Sequence, residues 1–344
     1  MNEKPSIIHT DSIRADAQAL LKSMEHCAHE TTATTLLAQP QRAISCLVEP
    51  FLQKVGLACL AGSSDTGKSA LLRQLSIAIA GGETDFLGFP IHSQHRSVIY
   101  VSTEDGQEAT SYLVHRQASA YSPDRLSGLR FIFEAEAELL AKLHQSLHTQ
   151  PADLVVVDCF ADAFGGDLKD TQKIRAYLQP WQTLAEQHSC LILFLHHTAK
   201  RTEALTPSKN NLLSGQGFEA KMRLVIELRG DVMQPAHRHL CIVKGNYLSA
   251  LHKKESYVLR FDEAHFLFSQ TGERVPFELL VRSADTDDSR NKYEQAKELK
   301  EAGKSYSQIA EMMGYASKTS ILNIIAKGQK MGWATDNGTA PAEE

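Results

Sequence analysis

The sequence has no C-x-x-C pair, no internal repeat and no excess of basic charge. Nor does any apolar run approach the roughly 18 residues that a membrane helix needs. Each absence removes a class of protein. The six cysteines (Cys27, Cys46, Cys59, Cys159, Cys190, Cys241) stand far apart. Most lie inside apolar runs, as small core residues do, which argues against a disulfide framework or a cysteine-built zinc site and for a reducing compartment. The start, Met1-Asn2-Glu3-Lys4-Pro5, leads into no signal-peptide core. The expectation is a soluble, cytoplasmic protein with no membrane partner. With 36 Lys+Arg against 41 Asp+Glu the formal charge is −5, so the molecule is no basic coat and any nucleic-acid contact must be local. The 42% hydrophobic content supplies an ordinary core, and 344 residues allow one large domain or two unequal ones.

What is present is concentrated in one octapeptide. Gly62-Ser63-Ser64-Asp65-Thr66-Gly67-Lys68-Ser69 has the G-x-x-x-x-G-K-[ST] form of a phosphate-binding loop. An apolar segment, Val55–Ala61, precedes it and reads as a buried strand; Ala70–Ala80 follows with helical spacing. In that context Gly62 and Gly67 let backbone N–H groups turn inward around phosphates, and the helix N-terminus adds its positive dipole end. Lys68 is placed to reach the β- and γ-phosphates, and Ser69 to hold Mg²⁺. ATP and Mg²⁺ are the expected cofactors.

From about residue 46 to 270, short apolar runs alternate with amphipathic stretches. Strands are expected at Gly56–Leu60, Ser97–Ser102, Leu129–Phe133, Leu154–Asp158 and Cys190–Leu195. Helices are expected at Glu108–Ala120, Ala135–Leu147 and Gln172–Gln187. This alternation predicts an α/β fold with a mostly parallel sheet covered on both faces. Leu224–Leu228, His239–Lys244, Tyr257–Phe261 and Phe266–Phe268 follow one another with little helix between, and predict an antiparallel extension. The expected domains are an N-terminal helical arm and linker (1–45, with a helix near Ala15–His26 and a linker over Thr31–Pro40), an ATPase domain (46–282), a linker (283–290), a small all-α domain (291–333) and a disordered tail (334–344).

Three strand ends carry chemistry. Asp158 ends Leu154–Asp158, where a carboxylate sits beside the phosphate loop and can hold Mg²⁺; the other reading is a cap on the next turn. Glu104 stands just past Ser97–Ser102 and is suited to polarise the water that attacks a γ-phosphate, while Asp105 beside it also reads as a helix start. His196 and His197 leave the Cys190–Leu195 strand. His197 is the candidate γ-phosphate sensor, a structural histidine pair is the alternative, and metal binding is disfavoured because no acidic or cysteine partner lies at ligand spacing in the sequence. Chance placement of all of these at strand ends is much less probable than of any one, which favours hydrolysis over nucleotide binding alone.

Together these stretches resemble the RecA-like ATPases, in particular the branch of RepA-type plasmid replicative helicases and their relatives in mobile elements. The segments that carry the resemblance are Leu60–Ser69, Val98–Asp105, Val155–Asp158 and Phe194–Lys200, with Val243–Tyr247 resembling a late lysine-containing strand end. The resemblance spans about residues 45 to 265. It implies a ring, usually a hexamer, with ATP between subunits and a basic residue supplied in trans. Lys244 is a candidate for that residue, with a solvated strand end as the alternative, and Arg116 resembles a family arginine near the active site. Two departures stand out. The family's Arg-Gly-Ser is here Leu213-Ser214-Gly215-Gln216-Gly217, with Arg223 or Arg229 as possible substitutes for the arginine. The middle of the phosphate loop is also poorer in glycine than usual. In RecA-like rings the loop after the histidines faces DNA, so Lys200, Arg201 and Lys209 are candidate phosphate contacts, or else part of a plain surface loop.

The last unit resembles helix-turn-helix modules. Tyr293–Ala302, Gln308–Met313 and Lys318–Lys327 (capped by Ser317) are its expected helices, packed through Ile309, Ala310, Met313, Ile321 and Ile324 with Gly314 in the turn. Ser317, Lys318, Thr319, Ser320, Asn323 and Lys327 then lie on a recognition helix suited to single-stranded or duplex DNA contact; a docking module for a protein partner is the alternative. The functions expected are a DNA motor or helicase of a plasmid or mobile element, working with replication partners, or else an ATP-switched DNA-binding regulator or loader, or a recruiting scaffold.

Overall fold

The computed structural model describes residues 31–41, 43–133, 138–199, 202–231, 233–281, 284–315, 317–330 and 332–333. The expected helix near Ala15–His26 and the tail 334–344 lie outside them. The chain divides into units at Met1–Ile44 and Ser45–Glu344. In the first, helix α1 (Ala33–Leu37) replaces the expected linker, because the Thr32 side chain accepts from the Thr35 N–H and caps it.

The second unit opens with a hairpin of β1 (Cys46–Val48) and β2 (Leu52–Gln53) that the sequence pattern did not reveal. There follow β3 (Gly56–Gly62), α2 (Lys68–Ala80), a two-residue hairpin of β4 (Asp85–Phe86) and β5 (Phe89–Pro90), β6 (Val98–Ser102), α3 (Gln107–Gln117), β7 (Leu129–Ile132), α4 (Leu139–Thr149), β8 (Leu154–Asp158), α5 (Phe160–Phe164), α6 (Thr171–Gln187), β9 (Leu191–His197) and α7 (Gly215–Lys221). Then come β10 (Leu224–Gly230), β11 (His237–Gly245), β12 (Glu255–Asp262), β13 (Leu267–Pro276), α8 (Ala284–Glu301), α9 (Tyr306–Met312) and α10 (Lys318–Lys330).

Nine strands form one sheet in the order β13-β12-β11-β10-β3-β9-β8-β6-β7. From β10 to β7 every pairing is parallel; from β10 to β13 every pairing is antiparallel. This is the α/β architecture expected, a RecA-like core with an antiparallel wing. The central strands are apolar throughout because both faces are covered. On β8, Leu154 and Val156 enter the cluster that contains Leu71, Leu75 and Ile79 of α2, while Val155 and Val157 enter the opposite cluster with Trp181 and Leu178 of α6. The same alternation runs along β6 and β9, and it decides which polar residue at each strand tip faces the phosphate loop.

β13 is longer than the expected Phe266–Phe268. Its outer half, Ser269–Arg274, is exposed, so the strand is held by its ladder to β12 without an apolar signature. The polar stretch read as a linker over 283–290 is, from Ala284 on, the start of α8.

Helices α8, α9 and α10 pack around Ala296, Ile309, Ala310 and Ile321, with Leu299, Met313, Ile324 and Ile325 beside them. A capping box starts α9: the Ser305 hydroxyl accepts from the Gln308 N–H and the Gln308 side chain accepts from the Ser305 N–H. Gly328 of α10 lies so close to the Tyr293 ring of α8 that a Cβ there would overlap it.

Candidate active site at the strand tips

The phosphate loop is fixed from both ends. A Cβ on Gly62 would overlap the Leu228 carbonyl of β10, so only glycine allows that approach. Gly67 caps α2 at φ +87 with Phe268 of β13 against it, a Cβ there lying 2.9 Å from the ring. Inside the loop the Lys68 ammonium donates to the Ser63 carbonyl at 2.6 Å and the Thr66 hydroxyl donates to the same oxygen at 3.0 Å. The wing also holds this loop: Arg238 Nε donates to the Thr66 carbonyl at 3.1 Å, and its guanidinium lies over Phe261. Gln74 of α2 bonds both the N–H and the carbonyl of Phe268, at 2.7 and 2.9 Å.

β3, β9, β8 and β6 are contiguous, so their C-terminal ends converge beside this loop. Asp158 has the parity of Leu154 and Val156 and so faces α2. Its Oδ2 accepts from the Tyr100 hydroxyl at 2.6 Å, while its buried Oδ1 has no hydrogen-bond partner among the described residues. Burial raises the Asp158 carboxyl above its usual range, although the Tyr100 and Ser69 hydroxyls pull against that. Burial likewise lowers the Lys68 ammonium, opposed by Asp158 and Glu104. Tyr100 carries no motif in the sequence; its parity on β6, the same as Val98 in the α2-side cluster, is the one signal of its place beside Asp158.

Glu104 is half-exposed beyond β6, with its Oε1 3.7 Å from Nε2 of His197. Cys159, the next residue after Asp158, completes a trio whose ligand atoms all lie within 4.8 Å of one another. Burial pushes the Cys159 thiol up to about 12. Asp105 does not start α3, whose N-cap is Gly106. It pairs instead at 3.5 Å with buried Arg73 of α2, which also donates to Gln117 of α3 at 3.4 Å.

The two histidines separate by parity. His197 faces the loop, whereas His196 is wholly buried on the opposite face, 2.6 Å from the Ser214 hydroxyl and packed against Phe160 and Phe218. Burial drives His196 down to about 3, so it is a neutral core residue.

Beside the loop, Ser63, Ser64, His197, Thr198, Ala199, Thr202, Glu203 and Leu213 line a cleft of about 430 Å³. The Ser63 hydroxyl donates to Glu203 at 2.6 Å. Of the loop cations, Lys200 and Arg201 lie outside the described residues. Lys209 is ion-paired to Glu219 at 3.2 Å, and Lys244 meets the same carboxylate at 2.7 Å. Burial alone would raise Glu219, but the two lysines bring it below its usual range. Arg116 is exposed and lies along its own helix, donating to the Tyr112 hydroxyl at 3.3 Å.

Arg229, a possible finger by position, is buried and paired with Glu227 at 2.6 Å while donating to the carbonyls of Thr202 and Leu205. Glu227 in turn accepts from Asn211 and from the Ser208 N–H. Arg229 therefore holds the polar loop rather than projecting outward. Arg223 is exposed. In the C-terminal unit Ser317, Lys318, Thr319 and Asn323 are exposed and Ser320 half-buried; the Lys327 side chain lies outside the described residues.

A glycine loop clamped at a helix N-terminus, with carboxylates converging from neighbouring strand tips, defines a P-loop nucleotide-binding protein with a RecA-like core. Residues 15–203 match the AAA domain family, which is more than half of the chain, and the chain belongs to that family of P-loop ATPases. No curated protein matches it. Among solved structures it is similar to the ATPase domain of G40P, with 12% identity and a TM-score of 0.53, over 78% of this chain and 99% of that one. At that identity the likeness supports the fold alone.

Proposed function

We propose that the chain is a Mg²⁺-dependent ATPase that acts on DNA as a ring motor of the RepA-like helicase type, from a plasmid or mobile element. The observation that carries this reading is the convergence of Lys68, Asp158, Glu104 and His197 at one end of four contiguous strands. The residues suit the expected cofactors. Asp158 keeps a buried oxygen without a partner beside Ser69, and the Lys68 ammonium rests on a carbonyl of its own loop.

In this reading the loop N–H groups from Ser63 to Ser69 and Lys68 hold the β- and γ-phosphates. Ser69 and Asp158 hold Mg²⁺, which supplies neutralisation of phosphate charge. Tyr100 fixes the Asp158 carboxylate through Oδ2 and leaves Oδ1 free. Glu104 orients and polarises the attacking water, and His197 responds to the γ-phosphate from across the same cleft. In a hexamer Lys244 would serve a neighbour's nucleotide only after leaving Glu219, and the exposed Arg116 would do the same on leaving the Tyr112 hydroxyl. The polar loop and the exposed start of α10 are the proposed DNA contacts, with 46–282 as the ATPase domain and the last three helices as the DNA-binding unit.

A second reading has a specific observation behind it. Where the RepA-like family has an arginine, Ser214 is buried on His196, and Arg229 is enclosed. A chain without an outward finger there turns over slowly and serves as an ATP-switched regulator or loader. ATP hydrolysis measured with and without single-stranded and duplex DNA separates the two. DNA-stimulated turnover lost in Lys68→Ala and Glu104→Gln supports the motor; slow turnover indifferent to DNA leaves the switch.

A further inference from the structure

We infer that Glu104, Cys159 and His197 form a binding site for a thiophilic divalent cation of the zinc class. The sequence hides this site, because its three ligands come from the tips of different strands: Glu104 from beyond β6, Cys159 from after β8 and His197 from β9. The sheet order β6-β8-β9 makes those tips adjacent. Every ligand atom lies within 4.8 Å of the others, and the carboxylate and imidazole are already 3.7 Å apart.

The donor set decides the metal. One thiolate, one imidazole and one carboxylate make a three-ligand set of the kind that leaves a fourth, open position for water or a phosphate oxygen. Sulfur selects zinc, cadmium or cobalt over magnesium, while the oxygen pair Ser69 and Asp158 has the opposite preference. Coordination displaces the Cys159 proton to solvent and leaves a thiolate–metal bond. Cys159 is buried and Glu104 exposed, so the ion enters from the Glu104 side.

Binding needs nothing from the reading under Proposed function. Its consequence does rest on that reading: an ion held by Glu104 and His197 removes the water-orienting and sensing groups and arrests turnover. Titration of the full chain with Co²⁺ in Mg²⁺-free buffer tests the binding directly. One Co²⁺ per chain is expected, with a near-ultraviolet sulfur-to-cobalt charge-transfer band that Zn²⁺ displaces. The band should vanish in Cys159→Ala, need at least about tenfold more Co²⁺ in Glu104→Gln or His197→Ala, since losing a direct ligand costs more than losing an outer-shell partner, and be unchanged in Cys241→Ala. A wild-type chain with no band at millimolar Co²⁺, or a band that survives Cys159→Ala, overturns the inference. Should Cys159→Ala fail to fold, the two surface variants decide it: cobalt affinity unchanged in both overturns the site.

Discussion

The tips of the parallel strands and the antiparallel wing treat their polar groups in opposite ways. At the tips, Asp158 keeps an unpartnered buried oxygen, Lys68 leans on a carbonyl of its own loop, and Glu104 stands half in solvent. In the wing, Glu227 and Arg229 are matched to each other, Arg229 also to loop carbonyls, and Lys244 to Glu219 of α7 beneath it. A buried polar group without a partner costs free energy, and beside a phosphate loop a bound ligand can complete it. Charge that is already matched marks scaffolding. The wing is therefore the frame and the tips are the open valence, although both lie in one sheet.

The sharpest way to break this comparison is Arg229→Ala. It strands Glu227 in the interior and releases the Thr202–Asn211 loop, at an expected cost of about 3–5 kcal/mol in denaturant unfolding. The double change Glu227→Leu with Arg229→Met should cost clearly less, since no charge is stranded. At the tips the pattern reverses. Lys68→Ala and Asp158→Asn should each lower ATP turnover by about 10²–10³-fold. The melting temperature of Asp158→Asn should hold or rise, because the raised carboxyl gives up stability as pH climbs above its unfolded value and an amide does not. A large loss of melting temperature in Asp158→Asn would place that residue in the frame instead.

The wing was harder to read from sequence than the tips, for a physical reason. Val155-Val156-Val157-Asp158 needs apolar residues on both faces, so its composition announces a strand and its end. Ser269–Arg274 needs only a ladder on one side, so composition says nothing. The clusters at Glu219 and Glu227 join residues from separate segments, and single-sequence spacing cannot bring those together. The same limit hid the trio of Glu104, Cys159 and His197. Parity is legible in the sequence: counting by twos along β9 separates His196 from His197.

Smaller tests sharpen the boundary. Gly328→Ala should push against Tyr293 and cost the C-terminal helices about 1–3 kcal/mol, read as an earlier melting step with nucleotide affinity unchanged. His196 predicts a pH signature. Its folded value, about 3, lies below the unfolded value of 6.5, so stability is unaffected above about pH 6.5 and falls as pH drops from there toward 3. The slope is at most one proton, about 1.4 kcal/mol per pH unit, and should disappear from unfolding curves of a His196→Asn variant. Arg116→Ala should stay within about 0.5 kcal/mol of the parent, so any loss of turnover in it reports a neighbouring subunit.

The bond pair from Gln74 to Phe268 joins positions 194 residues apart. At roughly 5–20 residues per second on a ribosome, about 10–40 seconds pass between the synthesis of the phosphate-loop helix and the arrival of the strand that closes against it. Through that interval one flank of α2 is uncovered, and the nascent chain holds a phosphate loop before it holds the hairpin that clamps it. Timing during translation thus sets when the loop can first hold its final shape.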